Sequence, residues 1–166
     1  MDEDLEREMY GKTMERLADG GFVHYEISNF ARPGFESRHN LKYWTGMPYL
    51  GVGAAAHSFI GGVRSANVCS PTEYVRKIRD HECPQSSRTS IGFAEELSER
   101  FFLGLRLVRG VSLTSLENEF GRQATGRYRE TIKQLQERKL VALEGDMLKL
   151  TRLGLDYANQ VWMEFL

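Results

Sequence analysis

The feature that most constrains this chain is the break at Gly20-Gly21, where one hydrophobic period gives way to another. Upstream, Leu5, Met9, Met14 and Leu17 fall on one helical stripe across residues 3–19, and the glycine pair supplies the stop. Downstream, residues 22–30 alternate, with Val23, Tyr25 and Ile27 on one side and His24, Glu26 and Ser28 on the other. A helix running through a short glycine turn into a strand is the α-then-β half of a parallel α/β unit. The spacing therefore predicts an amphipathic helix over 3–19 and a single strand over 22–30. Such a helix presupposes a strand before it, and the chain offers none, so the expectation is a truncated remnant of a larger parallel sheet or barrel. The polar side of the strand either lines a site within that sheet or faces water.

Pro33-Gly34 then turns the chain, and Ser37 can cap a short helix with the sequence RHNLKYW, residues 38–44. At helical spacing His39 stacks over Tyr43 and Asn40 over Trp44. An imidazole beside two flat aromatic surfaces suits haem iron and an extended planar ligand, whereas the same residues also serve as ordinary core aromatics beside a satisfied histidine. Residue types leave both readings open. The position at the end of a strand favours function, because functional residues of parallel α/β folds collect there.

Residues 49–60 are expected to form a second strand, in which the small residues of GVGAAAHS, 51–58, admit a close backbone or ligand approach. Gly51, Gly53 and Ala56 match the dinucleotide fingerprint G-x-G-x-x-A formally. The residues that follow, His57 through Gly62, suit a strand and hairpin turn better than a phosphate-binding helix. Residues 63–68 return as a partner strand. Ser70-Pro71-Thr72-Glu73 is a helix start with a capping serine and a proline in the first turn, followed by Tyr74, Val75 and Ile78. Residues 81–90 hold no period and mark a boundary.

The second half opens on Phe93, Leu97, Phe101 and Leu105, four residues apart. Ser112 caps a helix with Leu113, Leu116 and Phe120, and residues 127–139 give another on Tyr128, Ile132 and Leu135. Residues 141–144 and 147–150 pair across Gly145-Asp146, and Thr151 caps a closing helix with Leu155, Val161, Trp162 and Phe165. Three helices and a β-hairpin follow the winged-helix plan. The predicted organisation is α+β: residues 1–80 as the end of a parallel α/β barrel with a functional loop, 81–91 as linker, and 92–166 as a winged-helix-like domain.

Charge bears on partners. Lys and Arg number 22 against 23 Asp and Glu, a net charge of −1, which points to neither nucleic acid nor an anionic membrane. The third helix is modestly basic, but Glu144 and Asp146 stand at the wing tip, where a phosphate-binding protein favours Lys or Arg. The acidic N-terminus resembles no secretory signal, no apolar run reaches transmembrane length, and Cys69 and Cys83 lack zinc-ligand spacing, all of which suits a cytoplasmic protein.

YEISNFARPG, RHNLKYW and YLGVGAAAHSF, followed by the winged-helix pattern, resemble the C-terminal part of the HemW-like family, radical S-adenosylmethionine (SAM) proteins related to oxygen-independent coproporphyrinogen III oxidase. The family's H-N-x-x-Y-W signature, associated with haem binding, is matched by His39, Asn40, Tyr43 and Trp44. The resemblance implies that His39 ligates haem iron, that Tyr43 and Trp44 line the porphyrin, and that Asn40 orients the histidine or a propionate. It also implies that Gly51, Gly53 and His57 border a SAM pocket in the complete barrel. The family holds a [4Fe–4S] cluster on a C-x-x-x-C-x-x-C triplet that this sequence lacks, so the chain alone is expected neither to bind cluster and SAM nor to run radical chemistry. The function so implied is haem binding and delivery to an acceptor protein. The alternatives are a piece of a coproporphyrinogen III oxidase, or a winged-helix interaction or DNA-binding module. An unpaired barrel edge within residues 1–60 predicts dimerisation.

Overall fold

A computed structural model of the chain describes residues 2–166. In order, the elements are α1 (Glu3–Asp19), β1 (Val23–Glu26), β2 (Asn29–Ala31), α2 (Arg38–Trp44), β3 (His57–Ile60), β4 (Val63–Asn67), α3 (Pro71–Arg79), β5 (Gln85–Ser90), α4 (Phe93–Gly104), β6 (Val111–Ser112), α5 (Leu113–Phe120), α6 (Arg122–Thr125), α7 (Arg129–Glu137), β7 (Val141–Glu144), β8 (Met147–Leu150), α8 (Arg152–Asp156) and α9 (Ala158–Met163). They gather into two compact units, one running through Gly46 and resuming at Leu97–Leu166, the other spanning Met47–Glu96.

In the first unit, residues 22–30 form a hairpin instead of one strand. β1 and β2 pair antiparallel, Val23 with Ala31 and His24 with Phe30. The cause is local: the Glu26 carboxylate accepts hydrogen bonds from the Ser28 N–H and the Asn29 amide, pinning a turn that alternation cannot reveal. Every strand pair among the described residues is antiparallel, so the parallel α/β half-unit expected from the Gly20-Gly21 break is replaced by a helix and a hairpin. Backbone bonds fasten β1 to the segment after α4, with Ile27 N–H donating to Arg106 O at 3.0 Å and Val108 N–H to Tyr25 O at 3.1 Å. The helix α1 has its predicted bounds, but Leu5 and Met9 on its stripe are exposed.

The buried apolar cluster of this unit is built from its second stretch, with Ile27 of the first packed against it. Leu97 and Phe101 from α4 and Leu105 just after it pack with Leu116, Leu135, Leu148, Val161 and Phe165, and Phe101 stacks on Phe165 at 4.9 Å between ring centroids. The hairpin β7–β8 forms as its sequence predicts, and β6 joins it as a third strand in the order β6-β8-β7. Gly110 makes that junction possible. Its φ is +79°, and a Cβ there would stand 2.0 Å from the Leu148 carbonyl oxygen. The single closing helix expected after Thr151 is broken into α8 and α9.

The second unit is the sheet β3-β4-β5 with α3. The strand expected over 49–60 is confined to β3; residues 51–56 form a loop, and Tyr49 before it bridges to Phe59. The segment 81–91, read as a linker, carries β5, paired along β4 from Val63↔Ser90 to Asn67↔Gln85. QSSRTS is exposed at every position, so it carries no hydrophobic period; its partner strand defines it.

Candidate functional site

The helix α2 forms where Ser37 caps it, the serine hydroxyl accepting the Asn40 N–H at 3.3 Å. None of its residues is buried. His39 is exposed, and the four-residue spacing brings it to Tyr43, with rings edge-on at 5.0 Å and His39 Nε2 lying 3.0 Å from the Tyr43 hydroxyl. Asn40 is half-buried.

Trp44 is turned elsewhere. The Arg106 guanidinium stands 4.3 Å from the Trp44 ring centroid and 5.0 Å from that of Trp162, so one face of the Trp44 indole is already taken. Behind Arg106 lies Glu26, fully buried, with Oε2 3.6 Å from Arg106 Nη2. The side of β1 that sequence left between a site and solvent thus carries one of the most buried side chains of the unit. Trp44 and Thr45 also border a cavity of about 630 Å3 walled by Leu107, Val111 and Leu116, with Arg100 at its edge. One Arg100 Nη donates to the Thr45 carbonyl and the other to Glu119 at 2.6 Å, tying the end of α2 to α4 and α5.

The residues Gly51, Gly53 and His57 lie in the other unit. Gly51 is small because its own chain folds back on it: a Cβ there would meet the His57 carbonyl oxygen at 2.1 Å. Gly53 donates its N–H to the Tyr74 hydroxyl at 3.1 Å and accepts from the Asn67 amide at 2.9 Å. His57 is exposed at the start of β3. These contacts give the small residues a structural role that needs no phosphate or nucleoside.

Among the described residues, no group of three or more His, Cys, Asp or Glu could hold a metal ion, and Cys69 and Cys83 are both exposed free thiols. Two thiols do not fit a cluster that needs three. At the tip of the β7–β8 turn, Asp146 accepts from the Ser112 hydroxyl and from the Thr114 N–H and hydroxyl, at 2.8 and 2.6 Å for the latter two. Those bonds, Ser112 foremost, hold its carboxyl below the ordinary value of 3.8. The acid therefore serves the start of α5.

Arg106, Glu26 and Trp162 are what reading the sequence missed. Glu26 stood in an alternating run and Trp162 in a closing helix, but Arg106 follows α4 with no pattern of its own.

Against known proteins, residues 94–157 match the HemN C-terminal domain. The chain is 37% identical over 164 residues to the heme chaperone HemW of Bacillus subtilis, covering 99% of this chain and 43% of that protein. It is 33% identical over 160 residues to HemW of Mycobacterium tuberculosis, covering 96% and 39%. The bovine mitochondrial radical S-adenosyl methionine domain-containing protein 1 is 32% identical over 99% of this chain and 40% of its own. Among solved structures, coproporphyrinogen III oxidase (HemN) from Escherichia coli, a radical SAM enzyme, superposes with a TM-score of 0.71 at 16% identity, over 93% of this chain and 39% of that one. At that identity the likeness speaks for the fold alone. The mixed helix-and-sheet architecture is thus that of a region of the HemN-type proteins. Within that class, the chain belongs to the HemW-like family of radical SAM proteins. It spans less than half the length of the curated relatives it matches.

No helix among the described residues is long and apolar enough to cross a membrane.

Proposed function

We propose that this chain supplies the haem-binding segment of a haem-delivering protein, with His39 as the ligand to iron. One observation carries the reading: His39 lies exposed on α2 beside Tyr43, within an H-N-x-x-Y-W stretch, in a chain 37% identical to a heme chaperone. Haem is cargo, received and passed to an acceptor protein. The imidazole contributes a nitrogen lone pair, the usual proximal ligand of haem iron. With the ring proton on Nδ1, Nε2 accepts the Tyr43 hydroxyl proton, and that hydrogen bond keeps the ring oriented until a metal takes the same lone pair. Tyr43 offers an aromatic face, and Asn40 an amide for the ring or a propionate. Trp44 lines the porphyrin with at most the face that Arg106 leaves open.

In a longer parent, a cysteine triplet supplies the [4Fe–4S] cluster and SAM chemistry, with Gly51, Gly53 and His57 near that site, residues 92–166 as its winged-helix-like domain, and a cytoplasmic setting. A coproporphyrinogen III oxidase parent has only the fold likeness in its favour. Leu5, Met9 and Val23 are exposed, which supports self-association of the N-terminal part; a monomer by light scattering at working concentrations removes that element.

Hemin titrated into the chain should give a Soret band that depends on His39. A band of unchanged position and affinity in His39→Ala defeats the assignment.

A further inference from the structure

Four buried polar atoms meet around Arg106 without hydrogen-bond partners among the described residues: Glu26 Oε2, Arg106 Nε, Trp44 Nε1 and Trp162 Nε1. A buried polar atom without a protein partner costs stability, and four within one contact group mark a place where side chains are held by something other than ordinary hydrogen bonding. Charge is also spent here. Glu26 is fully buried, and the Arg106 guanidinium sits at ion-pair distance from its Oε2 without a hydrogen bond to it. Arg106 in turn has its guanidinium against both indoles, so the Glu26 carboxylate, the guanidinium and the two rings form one contact group. Its members come from β1, the segment after α4, the end of α2 and α9. The Arg106 carbonyl accepts the Ile27 N–H at 3.0 Å, fixing the same residue from its backbone side. Trp44 is the last residue of α2, five positions after His39, and this contact group together with the Arg100 bond to Thr45 anchors the end of the helix.

We propose that Arg106 is the positioning residue of the haem motif: held within cation–π distance of both Trp44 and Trp162 and paired with Glu26, it fixes α2 and so sets where the His39 imidazole stands. The inference rests on the haem reading of His39, but the anchoring of α2 can be measured without haem. The guanidinium is suited to this and an ammonium is not, because a flat delocalised cation stacks on two rings at once while a lysine offers a single point charge.

Native-state amide exchange on the full chain reads the anchoring directly. The Leu41 and Thr45 amides, which donate to Ser37 and Leu41 carbonyls within α2, report the helix, and the Leu105 amide reports the core. In Arg106→Gln the α2 amides should exchange about tenfold faster, the size of one or two lost cation–π contacts, while Leu105 holds. Because that variant strands Glu26, the double variant Glu26→Gln/Arg106→Gln, neutral on both sides, guards against simple unfolding and should show the same local loosening. Arg106→Lys restores the charge opposite Glu26; it should recover melting temperature but not α2 protection. Hemin affinity should fall with α2 protection across the three. The proposal is overturned if α2 protection is unchanged, if α2 and Leu105 loosen together in every variant, or if hemin affinity ignores a loosened α2. A wild-type chain without a His39-dependent Soret band defeats the haem reading instead, and the exchange rates still decide the anchoring.

Discussion

At the scale of single residues, the His39–Tyr43 contact makes an unusual prediction. With the ring proton on Nδ1, the Tyr43 hydroxyl donates to the Nε2 lone pair that the proposed iron ligation would use, so removing it should help. A neutral hydrogen bond contributes about 0.5–1.5 kcal/mol, and Tyr43→Phe keeps the ring while freeing Nε2, so hemin affinity should rise roughly two- to tenfold in spectrophotometric titration. A fall would mean that the hydroxyl orients the ring more than it competes. Gly110 makes a second prediction, one about folding alone. Alanine there combines a left-handed backbone with a Cβ placed 2.0 Å from the Leu148 carbonyl oxygen, and Gly110→Ala should cost about 2 kcal/mol or more in chemical denaturation. Both residues were visible in the sequence to different degrees. The His39–Tyr43 pair follows from helical spacing alone, while nothing local distinguishes Gly110 from any other glycine after a helix.

At the scale of elements, the joint between the β7–β8 turn and α5 is sensitive to acid. Asp146 satisfies the Thr114 N–H and binds the hydroxyl of Ser112, the residue that caps α5 through the Ser115 N–H at 2.9 Å. Its carboxyl titrates below the ordinary 3.8, held there by those donors. A depressed folded-state value contributes stability above the unfolded value, and that contribution disappears as the pH falls through the folded one. Acid unfolding followed by circular dichroism should therefore be shallower below pH 3.8 in Asp146→Asn than in the wild type, the variant having already lost the contribution at neutral pH. The helix starts at Ser37, Ser70, Ser112 and Thr151 were legible because a cap is a bond between residues three apart. The hairpin at 23–31, the strand β5 and the strand β6 were not. The first hides a turn inside an alternating run, and the other two exist only through partners distant in sequence. The same limit hid the Arg106 contact group, whose members span residues 26 to 162.

At the scale of the molecule, apolar burial is uneven. The large cluster belongs to residues 97–165, whereas the Met47–Glu96 unit buries chiefly Phe59 and Val68 beside Ser58, Ser65 and Asn67. Amide exchange should accordingly be slowest in α4, α7 and β8 and faster throughout β3–β5, because local opening follows how little apolar surface holds an element. Phe101→Ala, at a fully buried ring, should cost about 3–5 kcal/mol in denaturant titration. The core is also closed by residues at its far end. Phe165 is 1% exposed, its ring stacked on Phe101, and its carbonyl accepts the Ser98 hydroxyl. During synthesis, the helix α4 emerges long before the residue that completes its packing. A ribosome-bound chain stalled short of position 165 would hold Phe101 open to solvent and be a client for hydrophobic chaperones, and the unit would close only once its last turn had cleared the exit tunnel.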